Sequence, residues 1–206
     1  MAADKGALRS GLAFDLAERA LLLLGLSAIV RLAPSLRPTP YVALLLLSEG
    51  LAIAFILVRR RAVSSDFSPY AAAIAFLGTA APLLVAASGH PLIPLAVGAA
   101  AMTAGLLMSI AAKVVLNRSF GVTAANRGVK HEGPYRFLRH PMYAGYALTQ
   151  VMFLLLNPCL RNLAIYAVSW SVQILRIRAE EKLLLQDPDY RAYAAKVRYR
   201  LAPGLF

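Results

Sequence analysis

Long apolar runs recur along most of this chain, and they decide which solvent it folds in. Four of them span Phe14 to Ala33, Tyr41 to Val58, Tyr70 to Ser88 and Pro91 to Leu116. A helix needs about 20 apolar residues to cross the ~30 Å hydrocarbon core, so runs of this length read as transmembrane helices. Two shorter runs, Tyr143 to Asn157 and Leu160 to Leu175, flank Asn157-Pro158 and read as a helical hairpin. Composition agrees: 59% of the 206 residues are hydrophobic and only 16% charged, against about a quarter charged in soluble domains. The predicted fold class is an all-α integral membrane protein of six transmembrane helices, with five as the alternative if one stretch lies in the interface.

Breaks between the runs fall where the backbone demands them. Pro34 to Pro40 ends the first, since proline cannot donate to a helix ladder. Arg59-Arg60-Arg61 ends the second, and Gly89-His90-Pro91 makes the turn after the third. Segment four is rich in Ala and Gly, which suits close helix packing in lipid. No signal peptide is expected, because Asp4, Asp15 and Glu18 interrupt the basic-then-apolar pattern.

The formal charge of +12 has a simple source in such a chain, and nucleic acid is not an expected partner. Cytoplasmic loops of membrane proteins are enriched in Lys and Arg. With both termini inside, only Arg31, Arg37 and Arg161 of the 22 basic residues fall outside. The compact loops and basic tail point to a bacterial inner membrane. The single Cys159 excludes an internal disulfide, and with three His residues no metal site is expected. The tail from Arg176 to Phe206 mixes Leu183, Leu184 and Leu185 with charges, which reads as an amphipathic cytoplasmic helix. It breaks near Asp187-Pro188 and restarts over Tyr190 to Tyr199.

Two polar constellations stand out. One runs from His131 through Tyr143 inside the basic segment Asn117 to Tyr143, and the other is Arg176 to Glu181. A hairpin between them returns the chain to the face it left, so residues 140 and 181 are expected to be neighbours. Aromatic rings, imidazoles, guanidinium groups and a carboxylate pair beside an apolar wall suit S-adenosylmethionine. Rings and acids tolerate its sulfonium, while Arg or His holds its carboxylate. A phosphate or lipid headgroup fits the same basic residues. Glu180 and Glu181 lie about 100° apart on a helix and cannot both face one pocket, and Glu181 is the favoured ligand of the two. Arg127, Lys130 and Arg136 read equally as topology signals, and Tyr190, Tyr193 and Tyr199 as packing or interfacial anchors. Glu49, inside segment two, is a functional candidate because an ionisable group in lipid is expensive.

Gly133-Pro134-Tyr135, then Arg139-His140-Pro141-Met142-Tyr143-Ala144-Gly145, then Glu180-Glu181 and Tyr190, Tyr193, Val197 and Pro203, resemble the isoprenylcysteine carboxyl methyltransferase family. The related phospholipid methyltransferases share the Arg-His-Pro and Glu-Glu pieces. The resemblance covers roughly residues 117 to 206; the helices before it carry no matching motif. It implies a cytoplasmic loop binding S-adenosylmethionine, lined by His131, Gly133, Tyr135, His140, Pro141, Tyr143, Gly145, Glu180 and Glu181. It also implies Arg139 as the catalytic residue near the acceptor. The family's upstream His falls at Gly128 here, with His131 nearer the motif.

The implied division is 1–116, the N-terminal helices on the acceptor side, and 117–206, the catalytic region. The implied activity is methyl transfer to an amphiphilic small molecule or lipid taken from the bilayer. Phospholipid N-methyl transfer and small-thiol S-methyl transfer are the alternatives. A lipid-binding or transport subunit without catalysis is the rival from another class.

Overall fold

In the computed structural model, the described residues are 40–60, 62, 64–65, 68–121 and 125–204. The first apolar run, Phe14 to Ala33, lies outside them. Among the described residues six α-helices make up most of the fold: α1 (Pro40–Leu57), α2 (Pro69–Ala80), α3 (Leu95–Leu116), α4 (Pro141–Leu156), α5 (Leu160–Leu184) and α6 (Pro188–Lys196). Four of them start on proline, which costs nothing at a position whose N–H has no intrahelical partner. Ser68 caps α2 by accepting from the Ala71 N–H at 3.1 Å, and Asp187 caps α6 by accepting from Asp189 N–H at 2.9 Å.

Two segments depart from the sequence reading. The third apolar run does not continue as helix to Ser88: α2 stops at Ala80 and the chain tightens into a 3-10 turn over Ala81–Leu84. Pro82 removes a ladder donor there, and Asn162 then takes over the freed backbone, bonding both Ala86 N (3.1 Å) and Ala86 O (2.8 Å). The hairpin's second helix does not end near Leu175. It runs unbroken to Leu184, so Arg176 to Glu181 belongs to the same rod as the apolar stretch before it. The break at Asp187-Pro188 falls where expected, and the restarted helix ends at Lys196.

The stretch Leu95–Ser119, with a mean hydropathy of 1.9, is long and apolar enough to cross a bilayer. Ala43–Leu57, Pro69–Leu84 and Pro141–Leu156 are apolar but shorter. Helices α3 and α4 pack backbone to backbone. A Cβ on Gly105 would lie 2.7 Å from the Gly145 carbonyl, and a side chain on Gly145 would overlap Ser109 and that same Gly105. Small residues permit this approach where neither helix gains from burying apolar surface away from lipid. On the other flank of α3, fully buried Lys113 reaches into α1, bonding Ser48 O (3.0 Å), Ser48 Oγ (2.8 Å) and Glu49 Oε1 (3.4 Å).

The loops collect at two opposite ends. At one, Leu92 N–H donates to Leu155 O (2.9 Å) and Arg161 Nη2 to Leu84 O (2.9 Å). At the other, Arg60 N–H donates to Arg118 O (2.8 Å), and β1 (Ser64–Ser65) pairs antiparallel with β2 (Ala125–Asn126). That second end also carries residues 133–140 and the charged end of α5, and it holds the candidate site.

Candidate cofactor and acceptor site

The site begins with the short 3-10 turn Gly133–Arg136, which the chain enters through a positive φ of +54° at Gly133. Glycine adopts that conformation without the Cβ penalty, and a Cβ here would also press on Val115 at 3.0 Å. Arg139 and His140 follow, and their N–H groups donate to Tyr199 O and Arg200 O, each at 2.9 Å. This backbone pairing fixes both side chains before α4 starts at fully buried Pro141. Tyr193, on α6, donates its hydroxyl to Tyr135 O at 2.8 Å and approaches Leu138 O at 3.3 Å, tying the tail over the turn.

The hairpin then delivers Glu180 and Glu181. Glu181 is 5% exposed, pairs with Arg139 Nη1 at 2.8 Å, accepts from Arg200 Nε at 2.6 Å and lies 3.3 Å from His140 Nε2. Burial acts to raise its carboxyl, but the bonds to His140 and Arg200 and the Arg139 charge outweigh that and hold it below the usual range. Glu180 accepts from the Tyr143 hydroxyl, and its other oxygen is 3.7 Å from His140 Nδ1. The two imidazole nitrogens thus face the two carboxylates.

Between these groups is a cavity of about 110 Å³. Its ionic and aromatic wall is Arg139, His140, Tyr143, Glu180 and Tyr135, and its apolar wall is Leu116, Met142 and Leu184. Arg127 and Lys130 add positive charge on the loop side, and Tyr190 and Tyr193 close it from α6. Burial raises Tyr135 well above the ordinary value, Tyr190 strongly, and Tyr193 to about 12. All three therefore present neutral hydroxyls at physiological pH.

Five of the expected residues meet at this cavity: Tyr135, Arg139, His140, Tyr143 and Glu180. Five do not. Glu181, the favoured ligand, is behind the wall as the brace of Arg139, and Glu180 faces the cavity in its place, because α5 can turn only one of two successive residues inward. Gly145 allows a close approach, but to Gly105 and Ser109 of α3. Pro141 is buried in the first turn of α4, Gly133 turns against Val115, and His131 is exposed. Tyr190 and Tyr193, read as anchors, both line the cavity. Their spacing of three, which puts them on one face of α6, was the signal available in the sequence.

An apolar helical bundle with an ionic cavity at one end defines a helical protein of membrane type. Within it, residues 99–186 match the model of the isoprenylcysteine carboxyl methyltransferase (ICMT) family, so that stretch is ICMT-like. The fold is similar to a solved eukaryotic intramembrane Ras methyltransferase, with 21% identity, 94% of this chain and 77% of that chain covered, and a TM-score of 0.52. No curated protein matches the sequence.

Proposed function

We propose that this protein is an integral membrane methyltransferase that takes S-adenosylmethionine from the cytosol and an amphiphilic acceptor from the bilayer. One observation carries the reading: Arg139 and His140 meet Glu180 at one cavity, braced from behind by Glu181, 41 residues from His140, inside a segment similar to a methyltransferase family. The donor set fits the cofactor. Tyr135, Tyr143 and Glu180 offer the ring faces and negative charge that a sulfonium tolerates, and His140 offers a donor for a carboxylate. When bound, the cofactor supplies a methyl group already activated toward displacement.

The chain's own residues do the rest. Arg139, held by Glu181 and the Arg198 carbonyl, orients the polar head of the acceptor. Such alignment is worth up to several kcal/mol of the barrier. Leu116, Met142 and Leu184 keep water from the reacting groups. In this reading residues 1–116 shape the acceptor side and 117–206 the cofactor side. The chain crosses the bilayer six times with both ends cytoplasmic, and a carboxyl group is the first acceptor to test, ahead of an amine or a thiol.

Calorimetric titration of the detergent-solubilised protein with S-adenosylhomocysteine tests the proposal, and the absence of any heat of binding would overturn it. Glu180→Gln is expected to weaken that binding roughly tenfold, the loss of one charge-assisted bond. Arg139→Ala is expected to abolish turnover while changing cofactor affinity much less. Incubation with membrane extract and a labelled methyl donor identifies the acceptor.

A further inference from the structure

Tyr190 and Arg139 share a property that the roles assigned above leave unexplained. Tyr190 is 4% exposed and lines the cavity, yet its hydroxyl has no hydrogen-bond partner among the described residues. Arg139, 9% exposed and on the same wall, spends Nη1 on Glu181 and Nη2 on the Arg198 carbonyl, which leaves its Nε–H equally without a partner. Buried donors are paired almost everywhere in folded proteins, so two such atoms beside one cavity mark the place of a missing acceptor. Both groups donate, and Arg127 and Lys130 also line the cavity.

We propose that Arg139 Nε–H and the Tyr190 hydroxyl form a two-donor site for a carboxylate inside the cavity. A carboxylate offers two oxygens, one for each donor, and the charge of Arg139 balances its own. Both side chains line the same cavity, Arg139 beside the start of α4 and Tyr190 on α6. Glu180 is at the α5 wall and carries the opposite charge, so the cavity is polarised and orients any ligand with an acidic end. The proposal deepens the functional reading above and rests on it for the source of the carboxylate, which is either the amino-acid end of the cofactor or the head of the acceptor.

Tyr190→Phe removes the hydroxyl and keeps the ring that stacks edge-on against Tyr193 at 5.6 Å, so the variant is expected to melt with the wild type. Its affinity is measured by calorimetry for two probe pairs: S-adenosylhomocysteine against 5′-methylthioadenosine, which lacks the amino-acid end, and oleate against methyl oleate. A loss of roughly tenfold for S-adenosylhomocysteine with 5′-methylthioadenosine unchanged assigns the site to the cofactor. The same loss for oleate alone, with methyl oleate unchanged, assigns it to the acceptor. Unchanged affinity for both carboxylates, or an equal loss with and without the carboxylate, overturns the proposal. If the wild type binds neither nucleoside, the methyltransferase reading fails, and the oleate pair still decides the fate of the two-donor site.

Discussion

The Glu181 carboxylate does not itself line the cavity, yet it joins Arg200 at 2.6 Å, Arg139 at 2.8 Å and His140 at 3.3 Å. Removing its charge leaves these groups without their shared partner, so Glu181→Gln is expected to destabilise the protein by about 2–4 kcal/mol. A thermal melt in detergent measures it. The pH dependence has a definite sign. Glu181 is held below its ordinary value of 4.5, so its contribution is complete above pH 4.5 and is lost as pH falls through the lower folded value. The wild type should therefore lose melting temperature on acidification below pH 4.5, and Glu181→Gln should flatten that slope.

At the scale of elements, two seams set the distances on which the site depends. The α3–α4 seam is closed by Gly105 and Gly145, and an added methyl at Gly145 has nowhere to go between Ser109 and the facing carbonyl. Gly145→Ala is expected to cost about 1–3 kcal/mol and to weaken cofactor binding, because α4 also carries Tyr143 and Met142 into the cavity. Parallel melting and titration experiments check both effects. The α1–α3 seam depends on Lys113, whose ammonium lies over the Tyr146 ring at 5.3 Å as well as on Ser48 and Glu49. Lys113→Met should loosen α1 by roughly 1–3 kcal/mol by leaving those acceptors without a donor. Limited proteolysis at Arg59 and Arg60, just past the end of α1, reads it.

For the whole molecule, the two loop clusters at opposite ends make the topology testable. Lys130→Cys belongs to the end that carries the cavity, and Arg161→Cys to the end where it bonds the Leu84 carbonyl. With Cys159 replaced by serine in both variants, in sealed vesicles of known orientation, a membrane-impermeant maleimide should label the first only from the cytoplasmic face and the second only from the other. Labelling of both from one face would overturn the alternating arrangement of the helices.

The apolar runs alone determined that this chain is helical and of membrane type, because a backbone in lipid must satisfy its own hydrogen bonds and the helix does so within one segment. The motifs also marked a meeting point: His140 and Glu181 were readable as neighbours across a hairpin because the chain must return to the face it left. What the sequence left open was direction. Which of Glu180 and Glu181 faces inward depends on the rotation of α5, and that rotation is fixed by pairing Glu181 with Arg139 and Arg200, a partner 19 residues further on. Gly145 likewise read as part of a pocket until the approach of α3 gave it another neighbour. Tyr190 and Tyr193 could be read as anchors from composition, and only the fold of the tail over Tyr135 turned them toward the cavity. Local periodicity decides which faces of an element are apolar; contacts between distant segments decide which polar group looks into a site and which one stands behind it.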